Sequence, residues 1–297
     1  MDIAKAWIDR FSPDWVSLQF VPYAFHPKGL CFALPSSLRT LSDGYKVHVM
    51  FHETWIGFTK ISPLKHRITG FFQKHLLRRI VSELNPELID TSNPLYQLQL
   101  SDEKIEAGIS PIFSNIPIYS QPSQWFAGQL AKLGIAGEER ASWELLGIFG
   151  TIHPEFAPLD LLSERIESGS SGGKKVALLG IGRAGAGLEK LKGQVHERFG
   201  GDVLIHFFGE ETPEHISEFI GSLDYGVATM PTEFMDKSGT IAAFRAHGIP
   251  ILESHSVFLP EYDGRLKKSV VDFADRDPSN YTAEFVSGQL AEAMGRF

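Results

Sequence analysis

An α/β fold with two parallel sheets is what the sequence predicts, and three observations carry that prediction. Short apolar runs such as Lys46–Phe51 and Val176–Ile181 end at turn residues and read as buried strands. Segments of helical period, such as Leu159–Glu167 and Leu188–Phe199, lie between such runs. The strand–helix order repeats in two arrays, which implies right-handed crossovers within each. A length of 297 residues suits about two domains. The break is expected in Glu138–Ser142, giving domains of 1–142 and 143–297.

Composition narrows the function classes. Hydrophobic residues are 43% and charged residues 22%, close to the globular average. A net charge of −8 gives no global reason to bind nucleic acid. The single cysteine, Cys31, forms no internal disulfide. No apolar run approaches the roughly 18 residues of a spanning helix, and the first residues lack a signal-peptide core. These features predict a cytoplasmic protein.

The elements follow in order. Ala4–Phe11 has helical spacing of Ile3, Ala4, Trp7, Ile8 and Phe11, and Ser12-Pro13 ends it. Trp15–Val21 alternates as a strand, Pro22–Gly29 is a loop, Leu30–Leu41 a helix and Lys46–Phe51 a strand. A long amphipathic helix is expected over Pro63–Leu84, closed by Pro86. Leu88–Ser92 is a short strand, and Ile105–Ile118 contains another. The second array runs Leu145–Ile152 (strand), Leu159–Glu167 (helix), Val176–Ile181 (strand), Leu188–Phe199 (helix) and Val203–Phe208 (strand). It continues through helix Ile216–Gly221, strand Tyr225–Met230, helix Gly239–His247 and strand Pro250–Leu252.

Three motif matches bear on chemistry. Gly180-Ile-Gly-Arg-Ala-Gly185 fits G-x-G-x-x-G between a strand and a helix, but on the second strand of its array. No acidic residue sits cleanly at the end of the next strand, since Asp202 precedes it and Glu210 lies beyond it. A nicotinamide-dependent oxidoreductase is the alternative this motif keeps open; a glycine-rich turn with Arg183 facing a phosphate is the other reading. Gly169-Ser-Ser-Gly-Gly173 fits G-x-S-x-G, but a helix precedes it and a strand follows, the reverse of a nucleophile elbow. It reads as a solvent loop. His52-Glu53 lacks the second histidine of H-E-x-x-H, Ile56 standing there, and no metal site is expected.

The third match is Tyr225–Leu252: strand, loop, helix, Gly-x-Pro, strand. Lys237-Ser238-Gly239 stands at the helix start, where free N–H groups bind anions. Ser238 can cap, Gly239 lets a phosphate approach, and Lys237 supplies a point charge. A capped surface helix with a solvated lysine fits the local pattern equally well.

This stretch resembles the nucleotide-sugar loop of retaining glycosyltransferases of the GT-B fold, family 4-like, which are built from two Rossmann-like domains. Pro231-Thr232 and Gly248-Ile249-Pro250 match the ends of that loop. Arg10–Tyr23, Val49–Glu53, Phe149–Pro154, Phe208–Glu210 and Leu223–Val227 resemble other family segments in the same order. The resemblance implies hexosyl transfer from a nucleotide diphosphate sugar to an acceptor such as an envelope polysaccharide or lipid-linked glycan. The donor is a substrate, and neither cofactor nor metal is called for. It places Lys237 and Arg183 as the catalytic charges that stabilise the leaving diphosphate, with the N–H groups of Ser238 and Gly239. Gly150, Thr151, Glu210, Pro231, Asp236, Ser238, Gly239 and Thr240 fall around the donor, with Glu210 near base or ribose. His52 and Glu53 fall on the acceptor side, facing the cleft.

The departures are specific. The family's two loop glutamates fall on Met235 and Ala243, and only Asp236 is near enough to replace the first. The basic pair after the first strand of the C-terminal domain is missing from Thr151–Pro158. A non-catalytic nucleotide-sugar-binding module of GT-B type is therefore the second alternative. The N-terminal array enters the family pattern at its later strands, so the start lies upstream or the first sheet has an exposed edge.

One more segment stands apart. Residues 58–82 carry six basic side chains and no acidic one, leaving −14 for the rest of a chain whose net charge is −8. Phe58, Ile61, Leu64, Ile68, Phe71, Phe72, Leu76 and Leu77 interleave with them. Such a helix either lies on an anionic membrane, here the inner face, or packs its apolar side on the sheet.

Overall fold

A computed structural model describes residues 2–120, 123–167, 173–257, 259–262, 264–266 and 277–296. The chain divides into two compact units: Met1–Pro111 with Phe258–Asp275 and Val286–Phe297, and Ile112–Val257 with Arg276–Phe285. The sequence pattern placed a break at 142/143, whereas the compact units divide at 111/112. The physical reason is a helix over Trp125–Lys132, whose Phe126 and Leu130 are buried in the same core as the second sheet.

In the first unit the order is α1 (Asp2–Phe11), β1 (Trp15–Phe20), α2 (Pro22–Phe25), α3 (Leu34–Ser42), β2 (Lys46–Phe51), α4 (Leu64–Leu84), β3 (Leu88–Thr91), α5 (Pro94–Asp102) and β4 (Gly108–Ile109). The sheet order is β1-β2-β3-β4, every pair parallel. α3 starts four residues later than its apolar pattern suggests, because Pro35 sits in its first turn. α5 begins at the Asn93-Pro94 pair: Pro94 opens the helix and the Leu95 N–H donates to the Asn93 side chain.

α4 has two different halves. Leu76, Leu77, Ile80 and Leu84 are buried in a core with Leu18, Phe20, Val47, Val49 and Phe51. Leu64, Ile68, Phe71 and Phe72 are exposed, Leu64 at 69% and Phe71 at 65%. Asn85 in the left-handed region closes the helix, its N–H donating to Val81.

The second unit contains α6 (Trp125–Lys132), β5 (Trp143–Phe149), α7 (Leu159–Glu167), β6 (Lys175–Ile181), α8 (Leu188–Phe199), β7 (Val203–Phe207), α9 (Pro213–Gly221), β8 (Tyr225–Val227), α10 (Gly239–Ala246) and β9 (Ile251–Leu252). A last helix, α11, spans Ala283–Gly295, and from Val286 onward it belongs to the first unit. The sheet order is β7-β6-β5-β8-β9, again all parallel. Both faces are covered. Leu145, Ala177 and Leu179 pack with Phe126, Phe219, Ile241 and Phe244; Leu146, Ile148, Val176 and Leu178 pack with Leu162, Leu191 and Val195. That is why these strands read as continuous apolar runs. Of the segment Gly169–Gly173, only Gly173 lies within the described residues.

Candidate functional site

The second sheet has a topological switch point. The chain leaves β5 toward β6 and β7 on one side, then crosses to β8 and β9 on the other. In such sheets the crevice at the carboxyl ends of the strands beside the switch is where ligands bind. Three strands stop there at left-handed glycines: Gly150 (φ 90°), Gly182 (φ 97°) and Gly209 (φ 85°). Gly150 N–H donates to Ile181 C=O at 2.9 Å and Gly182 N–H donates to Gly209 C=O at 2.7 Å. A side chain on Gly182 would stand 3.2 Å from Gly150 N, whereas one on Gly209 meets nothing within 4 Å. The turns therefore stack on each other and leave open ground beyond Gly209.

α10 is anchored to the same edge. Thr240 Oγ1 donates to Phe149 C=O at 3.2 Å, joining the end of β5 to the first turn of α10. The Ile241 N–H donates to Ser238 Oγ at 3.4 Å, so Ser238 caps the helix. Ser238's own N–H donates to Met235 C=O at 3.0 Å. It is thus engaged within the chain, which corrects the expectation that it meets an anion. The helix start keeps the N–H groups of Gly239 and Thr240, and open space surrounds Gly239. Lys237 closes a 3₁₀ turn over Thr232–Lys237, its Nζ 5.6 Å from the centre of the Phe234 ring.

Asp236 is paired within the chain. It is buried and its carboxylate accepts from Arg245 at 2.5 Å; Arg245 in turn covers the Tyr281 ring at 5.2 Å. Pro231 opens the 3₁₀ turn, and Thr232 ties that turn to Glu253 and His255. Met235 and Ala243, the positions of the missing glutamates, are buried in the apolar core.

Arg183 and Glu210 meet across the ends of β6 and β7 at 2.9 Å, both highly exposed. The pair raises the Arg183 guanidinium and lowers the Glu210 carboxyl, through their mutual hydrogen bond first. Thr151 packs its methyl against Gly185, within 3.2 Å of where a Cβ would sit.

The glycines of the G-x-G-x-x-G segment have partners inside the chain. A Cβ on Gly180 would overlap the Phe207 ring, and Gly182 and Gly185 turn with φ above 70° against Gly150 and Thr151. Gly187 lies against the carbonyls of Ile152 and His153. Packing accounts for each glycine, so the motif needs no dinucleotide to explain it, and the oxidoreductase alternative is not favoured.

In the first unit, His52 follows β2 and Glu53 comes next. Burial lowers the His52 pKa below the ordinary 6.5, with Glu53 opposing and His48 adding to the shift. His52 Nε2 lies 2.7 Å from Gln19 Oε1, Gln19 Nε2 donates to Ser17 Oγ at 2.8 Å, and Ser17 Oγ lies 2.9 Å from His48 Nδ1. His48 Nε2 stands 3.3 Å from Asp90 Oδ2. The sequence reading missed Ser17, Gln19, His48 and Asp90. A signal existed: parallel strands are ordinarily apolar on both faces, yet β1 alternates Ser and Gln with Leu and Phe.

Among the described residues no three His, Cys, Asp or Glu side chains gather to hold a metal ion, and no helix is long and apolar enough to cross a membrane.

No family model and no curated protein matches the chain. Solved structures do. A sucrose-phosphate synthase from Thermosynechococcus elongatus aligns with 99% of this chain and 76% of its own, at a TM-score of 0.58 and 14% identity. The Anabaena protein HepE, solved in complex with UDP and glucose, aligns with 99% of this chain and 81% of its own, at 0.54 and 14%. At such identities the likeness establishes architecture: two parallel-stranded α/β sheets of Rossmann-like type, the fold of the GT-B glycosyltransferases.

Proposed function

We propose that this chain is a retaining, family 4-like glycosyltransferase that takes its sugar from a nucleotide diphosphate sugar. The observation that supports it most is the convergence of three glycine turns and the start of α10 at the switch point, with Lys237 two residues before that helix. HepE, with the same fold, carries UDP and glucose in its solved complex. As the anomeric C–O bond breaks, charge builds on the leaving diphosphate. Lys237 and the N–H groups of Gly239 and Thr240 stabilise that charge, with Arg183 near the edge. Glu210 serves base or ribose, Gly150 and Thr151 line the approach, and His52 and Glu53 serve the acceptor. The proposed chemistry calls on no metal or cofactor.

A second reading has its own support. Asp236 is committed to Arg245, and the two glutamate positions are filled by buried apolar residues. Both favour a module that binds a nucleotide sugar without transferring it. A release assay across nucleotide sugars, with binding measured in parallel, separates the two. Sugar release or transfer supports the enzyme. Binding without turnover supports the module, and neither binding nor turnover removes both.

We also propose that the first half of α4 rests on an anionic membrane, placing the protein at the cytoplasmic face. Leu64, Ile68, Phe71 and Phe72 are exposed beside Lys65 and Arg67, whereas Lys74 and Arg78 pair with Glu103, and Arg79 with Glu83. Basic residues near such a surface contribute about 1 kcal/mol each. Co-sedimentation with phosphatidylserine vesicles is expected to drop on Phe71→Ser, with thermal stability changed by less than about 0.5 kcal/mol, as for an exposed site. Binding that ignores the anionic lipid content removes this part of the proposal.

A further inference from the structure

One face of the first sheet carries a run of polar side chains whose hydrogen bonds have a direction. The links are His52 to Gln19, Gln19 to Ser17, and Ser17 to His48, at 2.7, 2.8 and 2.9 Å, with Asp90 3.3 Å from His48. Ser17 and His48 are direct register partners on β1 and β2, and Asp90 is on β3, so the chain runs across three strands. His48 is 1% exposed and Asp90 8%, while Ser17 and Gln19 are at the surface.

We propose that the buried Asp90 carboxylate sets the tautomer of His52 through His48, Ser17 and Gln19, leaving His52 Nδ1 as the lone-pair nitrogen. His48 Nε2 makes no aligned hydrogen bond, but a carboxylate oxygen 3.3 Å away electrostatically favours an N–H over a lone pair there, so His48 carries its proton on Nε2. His48 Nδ1 is then an acceptor, and the Ser17 hydroxyl donates to it. The Ser17 oxygen accepts from the Gln19 amide N–H. That turns Gln19 Oε1 toward His52, which must offer Nε2–H. Each residue has one remaining choice once its neighbour is fixed. Reversing the order would put two lone pairs, or a lone pair and a carboxylate, face to face.

On the glycosyl-transfer reading, on which this use rests, His52 Nδ1 accepts a hydrogen bond from the incoming acceptor hydroxyl. Ser17, Gln19, His48 and Asp90 are then positioning residues. The tautomer itself does not depend on that reading, so it is tested without any substrate. Long-range ¹⁵N–¹H correlation spectra of the full chain at about pH 8, where an ordinary histidine is neutral, read the protonated nitrogen of each ring. His52 is assigned by His52→Gln. The expected result is Nε2–H at both His52 and His48. In Asp90→Asn the side-chain amide can donate or accept, both directions become open, and His52 is expected to populate both tautomers in roughly equal amounts. Ser17→Ala, a surface substitution, cuts the chain and is expected to release His52 in the same way with Asp90 intact. In the double variant Gln19→Glu with Asp90→Asn, the carboxylate beside His52 restores a single Nε2–H form. A wild-type His52 carrying Nδ1–H, or a His52 tautomer unchanged by Ser17→Ala, overturns the proposal. Loss of the tautomer effect leaves the donor-site assay untouched, and failure of that assay leaves the tautomer result standing.

Discussion

The carboxyl ends of the two sheets are built from different materials. In the second sheet three strands stop at glycines with positive φ, beside the backbone N–H groups of the first turn of α10. In the first sheet a hydrogen-bonded series of side chains runs from buried, mid-strand His48 through Ser17 and Gln19 to His52, just past the end of β2. Backbone donors at a helix start suit an anion, because their dipoles are fixed before any ligand arrives. A series of side chains that each donate and accept suits a neutral hydroxyl, because each partner can be matched as donor or acceptor. The two edges thus present different groups, backbone N–H donors in one and side-chain donors and acceptors in the other.

The largest expected effect is on the charged edge. Lys237→Ala is expected to lower turnover by 10²–10³, about 2.7–4 kcal/mol of transition-state stabilisation, as for one preorganised donor. Its melting temperature should stay near wild type, since Lys237 is only half-buried. An equal turnover in the two proteins would break the assignment of that edge.

Next comes the material of the edges themselves. Gly182→Val places a branched side chain at φ 97° and 3.2 Å from Gly150 N. It is expected to cost about 1–3 kcal/mol in urea unfolding, the range for forced backbone strain. Gln19→Leu on the first edge is expected to change stability by less than about 0.5 kcal/mol, because the side chain is exposed. Equal costs would erase the contrast between a backbone-built and a side-chain-built edge.

The smallest effect is in the pH dependence. Burial lowers the pKa of His52, and likewise of His206 and His247, below the ordinary 6.5. For such groups the unfolded chain binds more protons as the pH drops, so their stabilisation is present above 6.5 and lost through the lower folded pKa. Unfolding midpoints should therefore fall on acidification below 6.5, and His52→Gln should remove part of that slope. A slope unchanged in His52→Gln would show that the first edge does not hold its histidine neutral.

Legibility followed the same division. Helices Leu159–Glu167 and Leu188–Phe199 and strand Lys46–Phe51 are read from periodicity to the residue, because each has one packed face or a closed apolar run. α5 was not foreseen: Leu95, Tyr96, Gln99 and Leu100 are buried with neighbours on several sides, so no apolar stripe forms. α6 and α11 were missed too, and the strand sought in Ile105–Ile118 is only Gly108–Ile109. The backbone-built edge was legible because its turns demand glycine at fixed places. The polar series was not, because its members lie at positions 17, 19, 48, 52 and 90 and only strand register unites them. Asp236 was legible as an acid but not as the partner of Arg245, nine residues on.

Binding of a nucleoside diphosphate at the second edge is what the proposed function requires first. Calorimetric titration of the full chain with UDP, GDP, ADP and dTDP tests it most directly, with NAD as the control and Lys237→Ala alongside. Saturable binding of at least one diphosphate is expected, weakened at least tenfold, about 1.4 kcal/mol, by Lys237→Ala. Binding of NAD alone, or of no diphosphate at all, would contradict it.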